Sequence, residues 1–481
     1  MWRNSYLTDE MGWVTDVARP RSIFKLGFMV RDDIRIEIPE KANYIINTLE
    51  KAGHKAYVVG GCVRDSILGR EPQDWDITTS AMPLEVKALF RRTVDTGLQH
   101  GTVTVMMGED GFEVTTYRID GLYEDGRHPK EVTFTGKLEE DLLRRDFTIN
   151  AMAYNDTDGL VDLYDGLGDI RRKLIRCVGD PIARFGEDAL RMLRAVRFSA
   201  QLGYDIDGPT YEAIKELAPT LEKISAERIH TELVKLLVSD NPMKLRDAYQ
   251  TGMTAIFLPE FDKAMRTEQN HIHHCYSVGE HILHSIDEVP PQPVLRLAML
   301  LHDIGKPETV NVSEDGITHF HGHPEVGAEM AKKILRRLKM DNDTIDKVTL
   351  LVRYHDYGNG VEPTDKIVRR AVNKLGDDIF PMFLLVSRAD VLAQSKYMRE
   401  EKLARIDKWC SIYEDIKAKN QCVSLKMLQI NGKDLIGMGV KPGPMLGSVL
   451  AQLLDEVLDE PEKNSAEYLR ARALEIVGDE K

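Results

Sequence analysis

Asp74 and Asp76, separated only by Trp75, are carboxylates that period-two alternation on a strand sends to one face while the tryptophan points the other way. Two hard anions side by side suit Mg2+, which keeps several waters and prefers one or two protein carboxylates plus substrate phosphates. Such ions activate an attacking hydroxyl and neutralise a leaving pyrophosphate. The run that contains them, YVVGGCVRDSILGREPQDWDITTS from Tyr57 to Ser80, supplies more of the same equipment. The apolar stretch from Ala56 to Val59 reads as a buried strand, and Gly60-Gly61 break it where backbone must approach something closely. A helix is expected from Val63 to Leu68, so the turn aims unpaired N–H groups at an anion and Arg64 adds a charge-assisted contact. The chemistry is transfer from a nucleoside triphosphate to a hydroxyl.

A second constellation speaks to which base is used. Glu187 to Gly203 is helical by composition, so Asp188 and Arg191 are neighbours at i, i+3 and Arg194 follows at the same spacing. The carboxylate accepts and the guanidinium donates. Cytosine offers an exocyclic amine donor beside a ring-nitrogen acceptor, and adenine offers the same order on its pairing edge, whereas guanine and uracil present the reverse. An Asp/Arg pair therefore takes C and A and leaves buried polar groups unpaired against G and U. Arg197 lies about half a turn from Asp188 and is expected to touch phosphate or RNA.

With these residues in place, the chain resembles the class II nucleotidyltransferases of the polymerase β superfamily, which comprise CCA-adding tRNA nucleotidyltransferases and bacterial poly(A) polymerases. The resemblance rests on GGCVRD (Gly60–Asp65), DWD (Asp74–Asp76), RRDFTINA (Arg144–Ala151), EDALRMLRAVRF (Glu187–Phe198) and ISAER (Ile224–Arg228), in the family's order across roughly Ile36 to Asp240. It implies an α+β fold with a small polymerase β-like head, Asp74 and Asp76 as catalytic Mg2+ ligands, and Gly60, Gly61, Arg64 and Arg145 around the triphosphate. It further implies nucleotide contacts from Asp188, Arg191, Arg194 and Arg197. Glu113, on an expected strand from Phe112 to Tyr117, and Asp146 are both candidates for a third acidic group. CCA addition to the tRNA 3′ end from CTP and ATP is the implied activity. An A-adding enzyme or poly(A) polymerase is the near alternative.

From about Asn270 to Tyr397, His274, the adjacent His302-Asp303 of LRLAMLLHDIGKP, His323, His355 and Asp390 resemble the HD superfamily of metal-dependent phosphohydrolases. A His-Asp pair ending an apolar helix can share one metal face, and the distant His and Asp complete an N/O site suited to Mg2+ or a divalent transition metal. His323 and His355 leave room for a second ion. His271, His273, His281, His284, His319 and His321 read as packed or surface residues. The resemblance implies hydrolysis of cyclic nucleotides, 2′,3′-cyclic phosphates or phosphomonoesters, compatible with repair of an RNA end. An HD phosphohydrolase with an inactive head, or a non-catalytic RNA-binding protein, is the reading from another class, and the intact Asp pair argues against both.

The elements that must position these groups divide the chain into an N-terminal extension (1–35), a catalytic head (36–165), a helical neck (166–262), an HD domain (263–400) and a helical RNA-binding tail (401–481). In the extension, Met29 is an alternative start. The loop from Tyr123 to Pro129 is expected to be mobile and Asp165 to Asp180 to act as a hinge. Arg171, Arg172, Lys173 and Arg176 form a local basic cluster in a 481-residue chain of net charge −14, so RNA must meet confined basic surfaces. Five cysteines without C-x-x-C spacing argue against a disulfide framework or zinc ribbon. No segment approaches the ~18 apolar residues of a membrane span. A cytoplasmic enzyme acting on tRNA, away from membranes and of open oligomeric state, is expected.

Overall fold

Val58 and Val59 are fully buried at the centre of the head's sheet, as their unbroken apolar context requires of an interior strand. The structure is a computed structural model describing residues 34–121 and 132–479; the expectations for 1–33 and for the Tyr123 to Pro129 loop lie outside the described residues. The strands are β1 (Ala56–Val59), β2 (Ile77–Thr79), β3 (Thr93–Gly97), β4 (Thr102–Met107), β5 (Asp110–Thr116), β6 (Arg118–Asp120), β7 (Val132–Phe134), β8 (Met152–Asn155) and β9 (Gly159–Asp162). Seven of them form one sheet in the order β3-β4-β5-β2-β1-β8-β9, while β6 and β7 pair separately. Within the seven-stranded sheet β2 and β5 run parallel, with Ile77 opposite Val114.

Asp74-Trp75-Asp76 precedes β2 instead of lying on a strand. The segment is nonetheless drawn into the ladder, because Val59 N–H donates to the Asp76 carbonyl at 3.0 Å. The helix after the glycine turn runs Gly61–Ile67, starting earlier than expected. The first helix, Glu40–Lys51, begins after Pro39 and buries Ala42, Ile45, Ile46 and Leu49, the i, i+3, i+4, i+7 stripe of an amphipathic helix.

The neck is built from Pro181–Glu187, Leu190–Leu202, Gly208–Leu217 and Ala226–Leu237. The single helix expected from Glu187 to Gly203 is interrupted: Asp188 is extended at φ −142°, ψ 104°. Its carboxylate accepts from the Leu190 N–H at 3.0 Å, a side-chain-to-backbone bond that favours a helix start over a helix interior. Further helices, among them Val278–Asp287, Pro293–Leu301, His323–Arg337, Asn342–Tyr354 and Phe380–Ala393, share one continuous core with head and neck. The tail helices Pro444–Asp459 and Ala466–Asp479 close a separate core around Leu435, Val449, Leu453 and Leu469. Arg369 ties the two cores together by donating to the Leu458 carbonyl at 2.7 Å. Among the described residues no helix is long and apolar enough to cross a membrane, and the five cysteines are free.

Candidate active site and a histidine-carboxylate cluster

Gly60 has φ +84°, and a Cβ there would lie 3.1 Å from Arg145 Nη1, so the glycine turn and the Arg145 guanidinium share one concavity. Only glycine fits both the backbone and the space. Arg145 Nη2 reaches buried Asp141 at 3.4 Å, while its Nε is buried without a hydrogen-bond partner. Asp76 sits within reach of this charge. Crowding by the protein raises its carboxyl pKa, Arg145 opposes the rise, and the carboxylates of Glu113 and Asp74 add to it. Register explains the grouping: one residue back from the Ile77–Val114 pair, Asp76 lies alongside Glu113.

Two expectations for the head change. Arg64 is buried, donating from Nη1 to Asn150 Oδ1 at 2.7 Å and from Nε and Nη2 to Asp65 at 2.9 and 2.8 Å. Its guanidinium also lies 5.1 Å from the centre of the Phe198 ring, so it fastens the glycine turn to the neck and is largely spent before any phosphate arrives. Asp146 likewise faces the neck. Burial favours its neutral form, but Arg194 donates to Oδ2 at 2.9 and 2.6 Å and holds the carboxyl down at about 2. Asp146 is a head-to-neck anchor, and Glu113 is the acidic group beside Asp76.

Among the neck arginines, Arg191 donates to Glu187 Oε2 at 2.5 Å and to the Arg144 carbonyl at 3.0 Å, which puts it at the head–neck junction near Asp188. Arg228 donates to Asp188 Oδ2 at 2.6 Å, a partner that the ISAER motif contained without a role. Arg194 is committed to Asp146. Arg197, expected to touch phosphate or RNA, is buried, its Nε 2.6 Å from Glu232 and its guanidinium 3.9 Å from the centre of the Phe198 ring. Burial pushes its pKa down to about 10 despite Glu232. Two of the four cations in the expected hinge are internally paired, Arg172 with Asp165 and Asp169 and Arg176 with Asp169 at 2.6 to 2.8 Å, while Arg171 and Lys173 are exposed.

The second constellation converges into two triplets, His281–His302–Asp390 and Asp303–His323–His355. His281, not His274, stands in the first triplet; His274 stands beside the cluster with its ring 5.9 Å from that of His281. The signal was present in the sequence, since His281 shares the buried stripe of its helix with Val278, Ile282 and Ser285, while His274 precedes that helix. Nδ1 of His302, His323 and His355 lies 2.7 to 2.8 Å from the carbonyls of Met299, Phe320 and Val352, and Nδ1 of His281 lies 3.4 Å from that of Ala393. With Nδ1 held against a backbone carbonyl, each ring turns its Nε2 inward. Nε2 atoms then face each other at 3.1 Å (His281, His302) and 3.2 Å (His323, His355), with carboxylates around them. Lone pairs opposed at that spacing repel unless positive charge lies between them. Asp303 spans the halves, with Oδ2 3.3 Å from His302 and Oδ1 3.3 Å from His323. Lys306, also buried and without a role in the sequence reading, sits 2.7 Å from Asp303. Burial favours neutral Asp303, but His302 and Lys306 hold it well below the carboxylate range. Burial opposes charge on His355, yet the Asp303 carboxylate, 3.6 Å from its Nε2, lifts it to about 9.

Three family models match the chain: "Poly A polymerase head domain" over residues 56–176, "Probable RNA and SrmB- binding site of polymerase A" over 203–265 and "tRNA nucleotidyltransferase domain 2 putative" over 309–473. The chain is 36% identical to the CCA-adding enzyme of Limosilactobacillus reuteri over 442 residues, covering 91% of this chain and 96% of that protein. It is also 36% identical to that of Levilactobacillus brevis over 429 residues, 87% and 93% of the two chains. Among solved structures it resembles the Bacillus stearothermophilus CCA-adding enzyme in complex with CTP, at 30% identity and TM-score 0.67, covering 91% and 98% of the chains.

Proposed function

The chain belongs to the CCA-adding enzyme family, and from that premise we propose that it extends the 3′ end of tRNA with C, C and A, taking CTP and ATP and releasing pyrophosphate. The juxtaposition of Gly60, Arg145, Asp76 and Glu113 carries this reading. Gly60 and Arg145 form the triphosphate cradle, the buried Nε of Arg145 being a donor with capacity to spare. Asp188 and Arg191 meet the pairing edge of the incoming base at the junction of head and neck, and Arg228 steadies Asp188.

Enzymes of this family are metal-dependent, and the donor set fits a hard cation: Asp74, Asp76 and Glu113 are clustered carboxylates, and burial, with lesser additions from Glu113 and Asp74, raises Asp76. They would hold Mg2+, which supplies activation of the 3′ hydroxyl and charge neutralisation at the leaving pyrophosphate. The tail presents Lys426, Lys433 and Lys441 as exposed cations, suited to the RNA backbone.

The paired, inward-facing imidazoles favour a second reading alongside the first. His281, His302 and Asp390, with Asp303, His323 and His355, would hold divalent transition-metal ions or Mg2+, which supply a Lewis acid for phosphoester hydrolysis. Asp303 bridges the two halves and the backbone carbonyls behind each Nδ1 keep the ligands oriented.

The deciding experiment incubates the protein with tRNA lacking its 3′ terminus and with CTP or ATP singly and together. Addition of two C residues and then A is expected. Incorporation of ATP alone, with CTP ignored, sinks the CCA assignment, and persistence of addition in Asp76→Ala removes the proposed metal site.

A further inference from the structure

Three segments meet at the mouth of the histidine-carboxylate cluster, and they carry an unusual density of rings. The loop from Asn270 to Tyr276 is clamped between its neighbours: Asn270 Nδ2 donates to the Gly316 carbonyl at 2.7 Å and Ser395 Oγ to the Ile272 carbonyl at 2.7 Å. The clamp fixes a row. The Tyr397 ring lies 5.1 Å from that of His273, which stacks on His271 at 5.0 Å; His271 is 6.2 Å from His274, and His274 5.9 Å from His281 of the cluster. A branch leaves His271 for His319 at 6.4 Å and ends on His321, stacked at 5.6 Å. Both outer ends, Tyr397 and His321, are exposed.

Cations line the same side. Lys396 is exposed, Arg399 and Lys402 follow at helical spacing, and Lys402 Nζ lies 3.1 Å from His273 Nδ1 and 2.6 Å from Gln394 Oε1. Lys402 and Arg405 also line a cleft that includes Asp390 and His355 of the cluster. Two binding modes are thereby joined: ring faces that accept any base by stacking and a basic border that follows a phosphate backbone, the combination that holds single-stranded nucleic acid without sequence readout. In a chain of net charge −14 such a border is a local exception and suits a polyanion.

We propose that this ring row is a docking track for the unpaired 3′ end of RNA, with bases stacked on Tyr397 and His321 and the terminal phosphate directed along His273 and Lys402 toward Asp390. The track would carry that end to the second metal centre, and it rests on the reading of that centre given above.

The test photocrosslinks the full-length protein to a short single-stranded oligoribonucleotide carrying 4-thiouridine near its 3′ end and maps the adducts by mass spectrometry. Adducts within 271–274, 319–321 or at Tyr397 are expected. Tyr397→Ala and His321→Ala should each weaken binding at this site by roughly five-fold or more, the worth of one stacked base, while Tyr397→Phe restores it and CCA addition continues. Both side chains are exposed, and circular dichroism confirms folding. Adducts confined to head, neck and tail, or row adducts indifferent to both alanine variants, overturn the proposal. Hydrolysis of bis(p-nitrophenyl) phosphate by Mn2+-loaded protein, a reaction that needs no track, separately tests the metal centre; its absence overturns that reading and leaves the crosslinking result to decide the track.

Discussion

Arg228 Nη2 donates to Asp188 Oδ2 at 2.6 Å, so the carboxylate assigned to base reading is held from a separate helix of the neck. Asp188 sits in a break between helices, where backbone geometry alone does not orient it. Arg228→Ala should therefore loosen base choice as well as slow addition. Charge-assisted hydrogen bonds of this kind contribute about 1.5–3 kcal/mol, which corresponds to roughly ten- to hundred-fold in kcat/KM for CTP and ATP. Measured ratios for CTP and ATP over UTP should fall, and Arg228→Lys should recover part of the loss. Unchanged selectivity with reduced thermal stability would assign Arg228 to folding alone.

Acid sensitivity should trace to Asp146. Its folded carboxyl lies at about 2, below the ordinary 3.8, so the Asp146–Arg194 pair contributes stability that is complete above about pH 4 and is lost as pH falls toward 2. The contribution is roughly 2 kcal/mol from the size of that shift. Denaturation midpoints at pH 7, 4 and 3 should show that loss in the parent protein and a flatter profile in Asp146→Asn. At pH 7 the variant should be less stable by about 3 kcal/mol, because Arg194 is left buried with a weakened partner.

Much of the head was legible because its signals are local. The glycine turn at Gly60 and the strand Ala56–Val59 each specify their own geometry, and they meet Asp76 beside Arg145 and Glu113, although the strand expected to carry Asp74 and Asp76 begins only at Ile77. What was not legible depended on partners distant in sequence. A sequence shows an arginine but not what neutralises it, so Arg64, Arg194 and Arg197 read as phosphate or nucleotide ligands although Asp65, Asp146 and Glu232 engage them. The choice between His274 and His281 turned on a helix boundary at Val278, where local pattern is least informative. Asp188 left the expected helix because its own side chain caps the next one.

Metal content separates the two histidines. Protein loaded with Mn2+ or Ni2+ and freed of excess should retain up to two ions per chain, one for each triplet. His281→Ala should reduce that number, since its Nε2 faces both His302 at 3.1 Å and Asp390 at 2.9 Å. His274→Ala should leave it unchanged. Asp303→Asn should affect both ions, because its oxygens approach both halves. Inductively coupled plasma mass spectrometry reads each outcome directly, and CCA addition serves as the control that the head remains intact. Retention of both ions in His281→Ala with loss in His274→Ala would restore the ligand expected from the sequence.

Glu113 should behave as a member of the catalytic carboxylate group and Asp146 as an anchor. Burial is the main cause of the raised Asp76 carboxyl and Glu113 adds to it by repulsion, a gathering of charge that a cation would relieve. Glu113→Gln keeps the size and removes the charge, so kcat for nucleotide addition should fall by about a hundred-fold or more, as expected when a metal-binding oxygen loses its charge. KM for tRNA should change little. Glu113 is solvent-exposed, so the thermal midpoint should hold steady or rise as the repulsion is relieved. Raising Mg2+ should recover part of the lost rate in Glu113→Gln and none in Asp76→Ala. A kcat unaffected by Glu113→Gln would leave Asp74 and Asp76 as the whole of the acidic site, with the repulsion at Asp76 a by-product of the β2–β5 register.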